Sequence, residues 1–264
     1  MRNLIDLSIP LYDYMPVGNV WAWDVPFTHE VITNIEQHGF ELWRIIMHSE
    51  TGTRLMIPAM SDHSLPHLDE LELSDLYERP TAVIDIPKDA REPITAEDID
   101  QYVGCAGLRT GDAVLIRTGW GNGQRYEKIG DDYARQTPYF GQTGAERLVD
   151  VMRENKSNLL LSDITYFGCG DAYMVPEWSS KPAWERPPFP SEQAKRYMHE
   201  YSNEKMLADF GSAAALTRSG FVLLVAALVD CDKITQQQVS TTVLPLKMRG
   251  GVSSPCRVIA VEES

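Results

Sequence analysis

The 264-residue chain lacks several features that are typical of particular classes of protein. Its four cysteines include no CxxC pair, which argues against a zinc cluster and a dithiol redox motif. Its longest uninterrupted apolar run, residues 221–229 (FVLLVAALV), is well short of the roughly 20 residues that span a bilayer. Positive charge is scarce: 24 Lys+Arg face 38 Asp+Glu, giving a net charge of −14, which argues against a nucleic-acid-binding surface.

The N-terminus also lacks the apolar core of a secretory signal, because Asp6, Pro10 and Asp13 interrupt it. We therefore expect a cytoplasmic protein with reduced cysteines and no membrane partner. With 43% hydrophobic and 23% charged residues, the composition is that of an ordinary globular protein. No long linker divides the chain, so we expect a single domain over residues 1–264.

The hydrophobic pattern predicts strands that alternate with helices, and hence an α/β fold with a mixed sheet. Buried strands are predicted at residues 41–48, 81–86, 113–118, 159–162, 221–229 and 257–261. The clearest helix covers residues 143–155, where Thr143 and Glu146 match a capping box. A second helix begins near Thr95.

One segment, at about residues 168–201, is rich in proline and aromatic residues and is predicted to be an insertion. Such loops serve as lids, binding loops or intersubunit arms, and Trp178 and Trp184 are its candidates for substrate contact. An ordered surface excursion without ligand contact is the alternative. The glycines of GWGNG, residues 119–123, have the wrong spacing for a nucleotide fingerprint and predict a turn.

Four motifs in order resemble the cyclase family, which includes bacterial kynurenine formamidase and isatin hydrolase. They are LIDLSIPLYDYMPV at 4–17, GDAVLIRTGW at 111–120, SDIT at 162–165 and PLKMRGGVSSPCRVIA at 245–260. The resemblance implies a swivelling β/β/α fold and a mixed sheet or barrel core with peripheral helices. It also implies a metal-dependent hydrolase of cyclic or aryl amides that assembles as a homo-oligomer, a dimer or tetramer.

The family's metal motif, HxGTHxDxPxH, is replaced here by ETGTRLMIPAM at residues 50–60. The positions of the family's ligands hold Glu50, Arg54, Met56 and Met60, and two further ligands align with Ala213 and Ala226. A thioether is a poor ligand for zinc or manganese, and a guanidinium repels a cation. We therefore predict no metal and no cofactor at the inherited site.

The same positions suggest a metal-free pocket. Side-chain alternation along strand 41–48 and its continuation predicts that His48 and Glu50 point the same way, with Arg54 just beyond a turn. Arg54 would stabilise an oxyanion, and Glu50 or His48 would act as base. A structural salt bridge between Glu50 and Arg54 is the alternative.

Other polar and aromatic residues are weaker candidates. His63, with Asp62 and His67, offers a catalytic imidazole or a relocated metal site, although such a stretch is also common in exposed turns. Asp163 either orients a catalytic neighbour or caps a turn. By the resemblance, Trp21, Trp23 and Phe27 line the substrate pocket; core packing or dimer contacts are the alternatives. Two more candidates lie on a predicted helix at 191–207, His199 and Glu200.

Three functions follow from these residues. The first is a metal-independent enzyme that opens, closes or dehydrates a small cyclic or aromatic carbonyl compound, such as a lactam, lactone or aryl amide. The second is a metal-dependent amide hydrolase with a relocated site. The third is an inactive paralogue that binds a small molecule or stabilises a partner.

Overall fold

The computed structural model describes residues 2–20, 24–103, 107–168 and 215–263. Five α-helices lie entirely within these ranges: α1 Ile35–His38, α2 Ala96–Val103, α3 Arg125–Ile129, α4 Asp132–Arg135 and α5 Gln142–Glu154. The first six strands are β1 Arg2–Asp6, β2 Thr28–Thr33, β3 Leu42–Ile46, β4 Arg54–Met56, β5 Arg79–Asp85 and β6 Pro93–Ile94. The other six are β7 Ala113–Arg117, β8 Tyr139–Phe140, β9 Leu159–Ser162, β10 Leu223–Ala226, β11 Gln238–Pro245 and β12 Ser253–Glu263.

The main sheet closes on itself as a seven-stranded barrel. Its order is β12-β11-β5-β7-β9-β10-β4, and β4 pairs back onto β12. The long strand β12 pairs with β4 at its beginning and with β1 at its end. Strands β5, β7, β9 and β10 are parallel to one another, whereas the pairings of β4, β11, β12 and β1 are antiparallel. The predicted α/β class and the mixed barrel core are confirmed.

Both faces of the central strands are buried, which explains their continuous apolar sequences. Val83, Leu115 and Leu161 belong to one core cluster, on the face turned away from α2 and α5. Their sequence neighbours Ile84, Ile116 and Leu160 belong to a second cluster, which includes residues of α2 and α5. Because successive side chains of a strand point to opposite faces, every residue in these strands must be apolar or paired.

The sequence predicted most of these elements, with two corrections. Helix α2 begins after Thr95, whose hydroxyl and backbone exchange hydrogen bonds with Asp98. Helix α5 matches its prediction, but the capping box is wrong: Gly141 is the N-cap, and Glu146 accepts a hydrogen bond from Gln142. The buried strand predicted at 41–48 is also wrong, because β3 pairs with β2 in a separate hairpin and is exposed throughout.

Helix α5 packs against the end of β6 so closely that only glycine fits at position 144. A Cβ atom added to Gly144 would lie 2.1 Å from the carbonyl oxygen of Ile94. We expect Gly144→Ala to destabilise the protein by about 2–3 kcal/mol, although Gly→Ala inside a helix normally stabilises by up to about 1 kcal/mol. Urea unfolding measures this difference, with the exposed neighbour Thr143→Ala as control. Stabilisation by Gly144→Ala would contradict this packing.

Two cysteines lie in the described ranges, and both are free thiols. Burial raises the pKa of Cys256 to about 12 and that of Cys231 well above its usual value, so both stay protonated. Within the same ranges, no helix is long and apolar enough to cross a membrane.

Candidate functional site

Arg54 is the most buried cation in the candidate site, with 1% of its side chain exposed. It begins β4 and lies opposite Ala226 at the end of β10. Its Nη2 donates to the carbonyl oxygen of Thr165 at 2.8 Å, and its Nη1 donates to that of Gly52 at 3.3 Å. The guanidinium also lies over the Tyr166 ring, 4.8 Å from the ring centroid. These contacts hold a fixed, planar cation beyond the carboxyl end of strand β9.

Glu50 is the carboxylate that lies near the Nε atom of Arg54. This Nε atom is buried and has no hydrogen-bond partner, and the nearest Glu50 oxygen is 3.9 Å away. About a quarter of the Glu50 side chain remains exposed. Burial raises the pKa of Glu50, while the positive charge of Arg54 acts in the opposite direction. The two side chains therefore form a long ion pair with no hydrogen bond from Nε to Glu50.

His48 is held by hydrogen bonds on both ring nitrogens. Its Nδ1 accepts from the Glu50 backbone N–H at 3.2 Å, and its Nε2 lies 2.9 Å from the carbonyl oxygen of Gly18. Because a carbonyl only accepts, the proton must be on Nε2. Gly18 has φ +93°, and a Cβ there would lie 2.9 Å from His48 Nε2, so only glycine permits this approach. The imidazole is thus occupied in positioning the Glu50 turn.

Asp24 is a buried carboxylate, and it completes a cluster with Arg54, Glu50 and His48. Its Oδ2 accepts from the Val20 backbone N–H at 2.7 Å, and its Oδ1 lies 3.5 Å from His48 Nε2. Tyr166, 7% exposed, accepts a hydrogen bond at its hydroxyl from the Gly18 backbone N–H. Burial raises the pKa of Tyr166, with the Asp24 charge adding to the effect, so the phenol stays protonated.

The predicted alternation that placed His48 and Glu50 on one strand face is wrong, because β3 ends at Ile46 and residues 48–51 form a turn. The turn nevertheless brings Glu50 and Arg54 together. Phe27 is buried in a core cluster with Met15, Val17 and Trp120. Its role in substrate binding stays a prediction.

Asp163 is fully buried and all its hydrogen bonds hold one turn. It accepts from the Thr118 backbone at 2.8 Å, the Thr118 hydroxyl at 2.9 Å, and the N–H groups of Gly119 and Gly121 at 2.9 and 3.3 Å. Burial raises the pKa of Asp163 while these hydrogen bonds lower it. We therefore assign Asp163 the role of holding the turn that the GWGNG motif predicts. Its hydrogen bonds do not orient a catalytic neighbour.

The remaining candidates divide between exposed and undescribed positions. His63 is exposed and stacks on His67, with ring centroids 6.0 Å apart, and the structure does not bring it to Glu50. The other candidates lie outside the described ranges: Trp21, Trp23, Trp178, Trp184, His199, Glu200 and Ala213, together with most of the insertion at about 168–201.

The residues at the site do not fit the metal that the family resemblance implies. Glu50 supplies one carboxylate, but Arg54 places a permanent cation beside it, and Ala226 opposite Arg54 has no donor atom. In the described ranges, no three His, Cys, Asp or Glu residues come together as metal ligands would. We therefore derive no chemical step through a metal.

Sequence reasoning missed Asp24 and Tyr166. Neither residue belongs to a recognisable motif, and both reach the cluster from loops distant in the sequence. The only signal in the sequence was position: Tyr166 directly follows SDIT, at the carboxyl end of a predicted strand, where ligand sites of α/β proteins commonly form.

Comparison with known proteins supports the fold. An isatin hydrolase A from Labrenzia aggregata, bound to benzyl benzoate, is 19% identical, with 100% of this chain and 94% of that chain covered and a TM-score of 0.70. An isatin hydrolase bound to the product analogue thioisatinate is 18% identical, with 100% and 93% covered and a TM-score of 0.72. A structure described as a potential metal-dependent hydrolase with cyclase activity is 19% identical over both full chains, with a TM-score of 0.64.

No curated protein matches this chain. The Cyclase family model matches residues 5–157, more than half of the chain. That range contains the Glu50–Arg54 turn and strands β4, β5 and β7 of the barrel. The three solved structures are similar to this chain in fold. The match to the family model shows that the chain belongs to the Cyclase family.

Proposed function

We propose that this protein is a metal-independent enzyme of the Cyclase family that acts on a small cyclic or aromatic carbonyl compound. The substrate class is a lactam, lactone or aryl amide, and the reaction is ring opening, closure or dehydration. The observation that carries this proposal is Arg54, a buried guanidinium whose Nε has no hydrogen-bond partner and faces a carboxylate 3.9 Å away.

Arg54 supplies the electrophilic group. Two carbonyl oxygens and the Tyr166 ring fix its orientation, so little reorganisation is needed when negative charge develops on a substrate oxygen. The Nε–H, on the one Arg54 nitrogen that has no hydrogen-bond partner, is a donor available for that oxygen. In a site with little water, such a donor contributes more than it would in bulk solvent.

Glu50 supplies the base. Its pKa is raised by burial, which brings it closer to neutral pH and strengthens it as a proton acceptor from water. His48 does not need to act as base, because Nδ1 and Nε2 are both engaged in holding the turn. It is a positioning residue in this proposal.

The pH profile of a Glu50→Gln variant tests this role. The base must be ionised, so wild-type kcat/KM should fall as the pH is lowered through the Glu50 pKa, which lies above its usual value of 4.5. Glu50→Gln should lower kcat/KM by about 10²–10⁴-fold and abolish this acidic limb. The readout is hydrolysis of isatin, a γ-lactone and an aryl formamide in chelator.

The exposed Glu97→Gln substitution in α2 is the matched control and should leave the profile unchanged. A Glu50→Gln enzyme with wild-type turnover and an unchanged acidic limb would remove Glu50 from the mechanism. Turnover restored only by zinc or manganese would favour the relocated-metal hydrolase. Tight binding of these compounds without turnover under either condition would favour an inactive binding paralogue.

The remaining assignments accompany this function. The chain is a single domain over 1–264, and the segment at about 168–201, with Trp178 and Trp184, contributes substrate contacts together with Trp21, Trp23 and Phe27. The partners are a small-molecule substrate and further copies of the chain in a homo-oligomer, without nucleic acid. The location is cytoplasmic, and no cofactor is used.

A further inference from the structure

Tyr166 is a buried ionisable side chain of the site that has no part in the roles of Arg54 and Glu50. It follows the end of β9, and only 7% of the residue is exposed. The guanidinium of Arg54 lies over its ring, 4.8 Å from the centroid. Burial raises the pKa of Tyr166, the charge of Asp24 raises it further, and the charge of Arg54 lowers it. The phenol therefore lies among the charged groups of the site and keeps its proton at neutral pH.

The hydroxyl of Tyr166 is oriented by the same backbone residue that holds His48. Its oxygen accepts a hydrogen bond from the Gly18 N–H at 3.2 Å, while the carbonyl oxygen of Gly18 lies 2.9 Å from His48 Nε2. Because the first of these contacts uses a lone pair of the phenol oxygen, the proton of the hydroxyl is not engaged in it. A phenol held in this way is an oriented proton donor.

The proposed reaction needs a proton donor in addition to its base. Glu50 takes a proton from water, but a leaving nitrogen does not depart as an anion and must itself receive a proton. Arg54 does not supply it, because a guanidinium is not deprotonated in proteins. His48 is engaged through Nδ1 with the Glu50 backbone and through Nε2 with Gly18. Of the side chains in contact with Arg54, two remain as proton donors: the phenol of Tyr166 and the Glu50 carboxyl once it has been protonated.

We propose that Tyr166 is a further catalytic residue of this site, the general acid that protonates the leaving atom of the substrate. This role rests on the proposed function, because it completes the reaction that Glu50 and Arg54 begin. When the tetrahedral intermediate collapses, the bond from the carbonyl carbon to the leaving nitrogen breaks. Its electron pair goes to the nitrogen, which takes the Tyr166 proton. The phenolate then takes the proton that Glu50 received from water, so both residues return to their starting states and the net reaction is the addition of water across the amide bond.

The neighbours of the phenol fit a group that becomes negatively charged for part of the reaction. The N–H of Gly18 donates to the oxygen on which the charge appears, and the Arg54 guanidinium lies over the ring that shares this charge. The charge of Asp24 has the opposite effect, so the phenolate is a strong base that readily takes a proton from Glu50. The acid is thus regenerated within one turnover.

A pair of substrates that differ in one atom tests this role. Formanilide needs a proton on its leaving nitrogen, whereas phenyl formate loses phenoxide, which departs without one. Tyr166→Phe keeps the ring beneath Arg54 and removes only the hydroxyl. In chelator, this variant should lower kcat/KM for formanilide by about 10²-fold and that for phenyl formate by less than about threefold. Tyr133→Phe, at a fully buried tyrosine of a core cluster, is the matched control and should change neither.

Losses of equal size on the two compounds, or a larger loss on phenyl formate, would overturn the role of Tyr166, since a hydroxyl that only supports the site affects both reactions. No loss on either compound would also overturn it and would assign the proton to Glu50. Glu50→Gln separates these failures from failure of the proposed function, because it should slow both reactions, which share the need for activated water. A wild type that turns over neither compound, or a Glu50→Gln enzyme with wild-type rates on both, would remove the proposed function and the Tyr166 role with it.

Discussion

Replacement of Arg54 by methionine is expected to lower kcat/KM about 10³-fold, the upper range for loss of a single oxyanion donor. The substitution keeps most of the apolar length but removes the cation whose Nε lies 3.9 Å from Glu50. Because the Arg54 charge opposes the rise in the Glu50 pKa, its removal should also move the acidic limb of the pH profile to higher pH. That second readout separates an electrostatic role from simple loss of structure.

A lysine at position 54 should recover only a small part of the activity. The planar guanidinium donates hydrogen bonds to the carbonyl oxygens of Gly52 and Thr165 while it lies over the Tyr166 ring. A single ammonium group cannot reproduce this planar arrangement of donors. Arg153→Met is the matched control, since Arg153 also lies over a ring, Phe221, at 5.3 Å but outside the site. A folded Arg54→Met enzyme with wild-type kcat/KM would contradict the proposed mechanism.

Replacement of Asp163 by alanine is expected to destabilise the protein by about 4 kcal/mol, among the largest effects of any single substitution. The carboxylate accepts four hydrogen bonds in a fully buried position. Alanine would leave all four donors, three of them backbone N–H groups, without a partner. For a chain of this size, the melting temperature should fall by about 10 °C.

Asp163→Asn should fall between alanine and the wild type, because one amide oxygen still accepts while the NH₂ group meets N–H donors. Asp232→Ala, at an exposed aspartate near the same barrel end, should change the free energy of unfolding by less than about 0.5 kcal/mol. Calorimetry of the three variants measures these differences. If Asp163→Ala were as stable as Asp232→Ala, the carboxylate would not be what holds the Thr118–Gly121 turn.

The candidate site was partly predictable from the sequence. Glu50 and Arg54 are four residues apart on either side of a Gly-Thr pair, and such local spacing brought them together even though the predicted strand geometry was wrong. Asp24 and Tyr166 were not predictable, because their contacts with His48 and Gly18 join positions 24 to 148 residues apart. Contacts of that range depend on how the barrel closes, which no local pattern encodes.

The sequence by itself determined the fold class and the family. Apolar runs in β5, β7 and β9 specify strands buried on both faces, and the order of the motifs specifies the Cyclase barrel. The tertiary structure alone decided which apolar runs are buried: residues 42–46 are as apolar as a core strand, yet they lie exposed in the hairpin of β2 and β3. Hydrophobicity specifies that a segment must be covered, and only the packing of the other elements determines whether its own chain covers it.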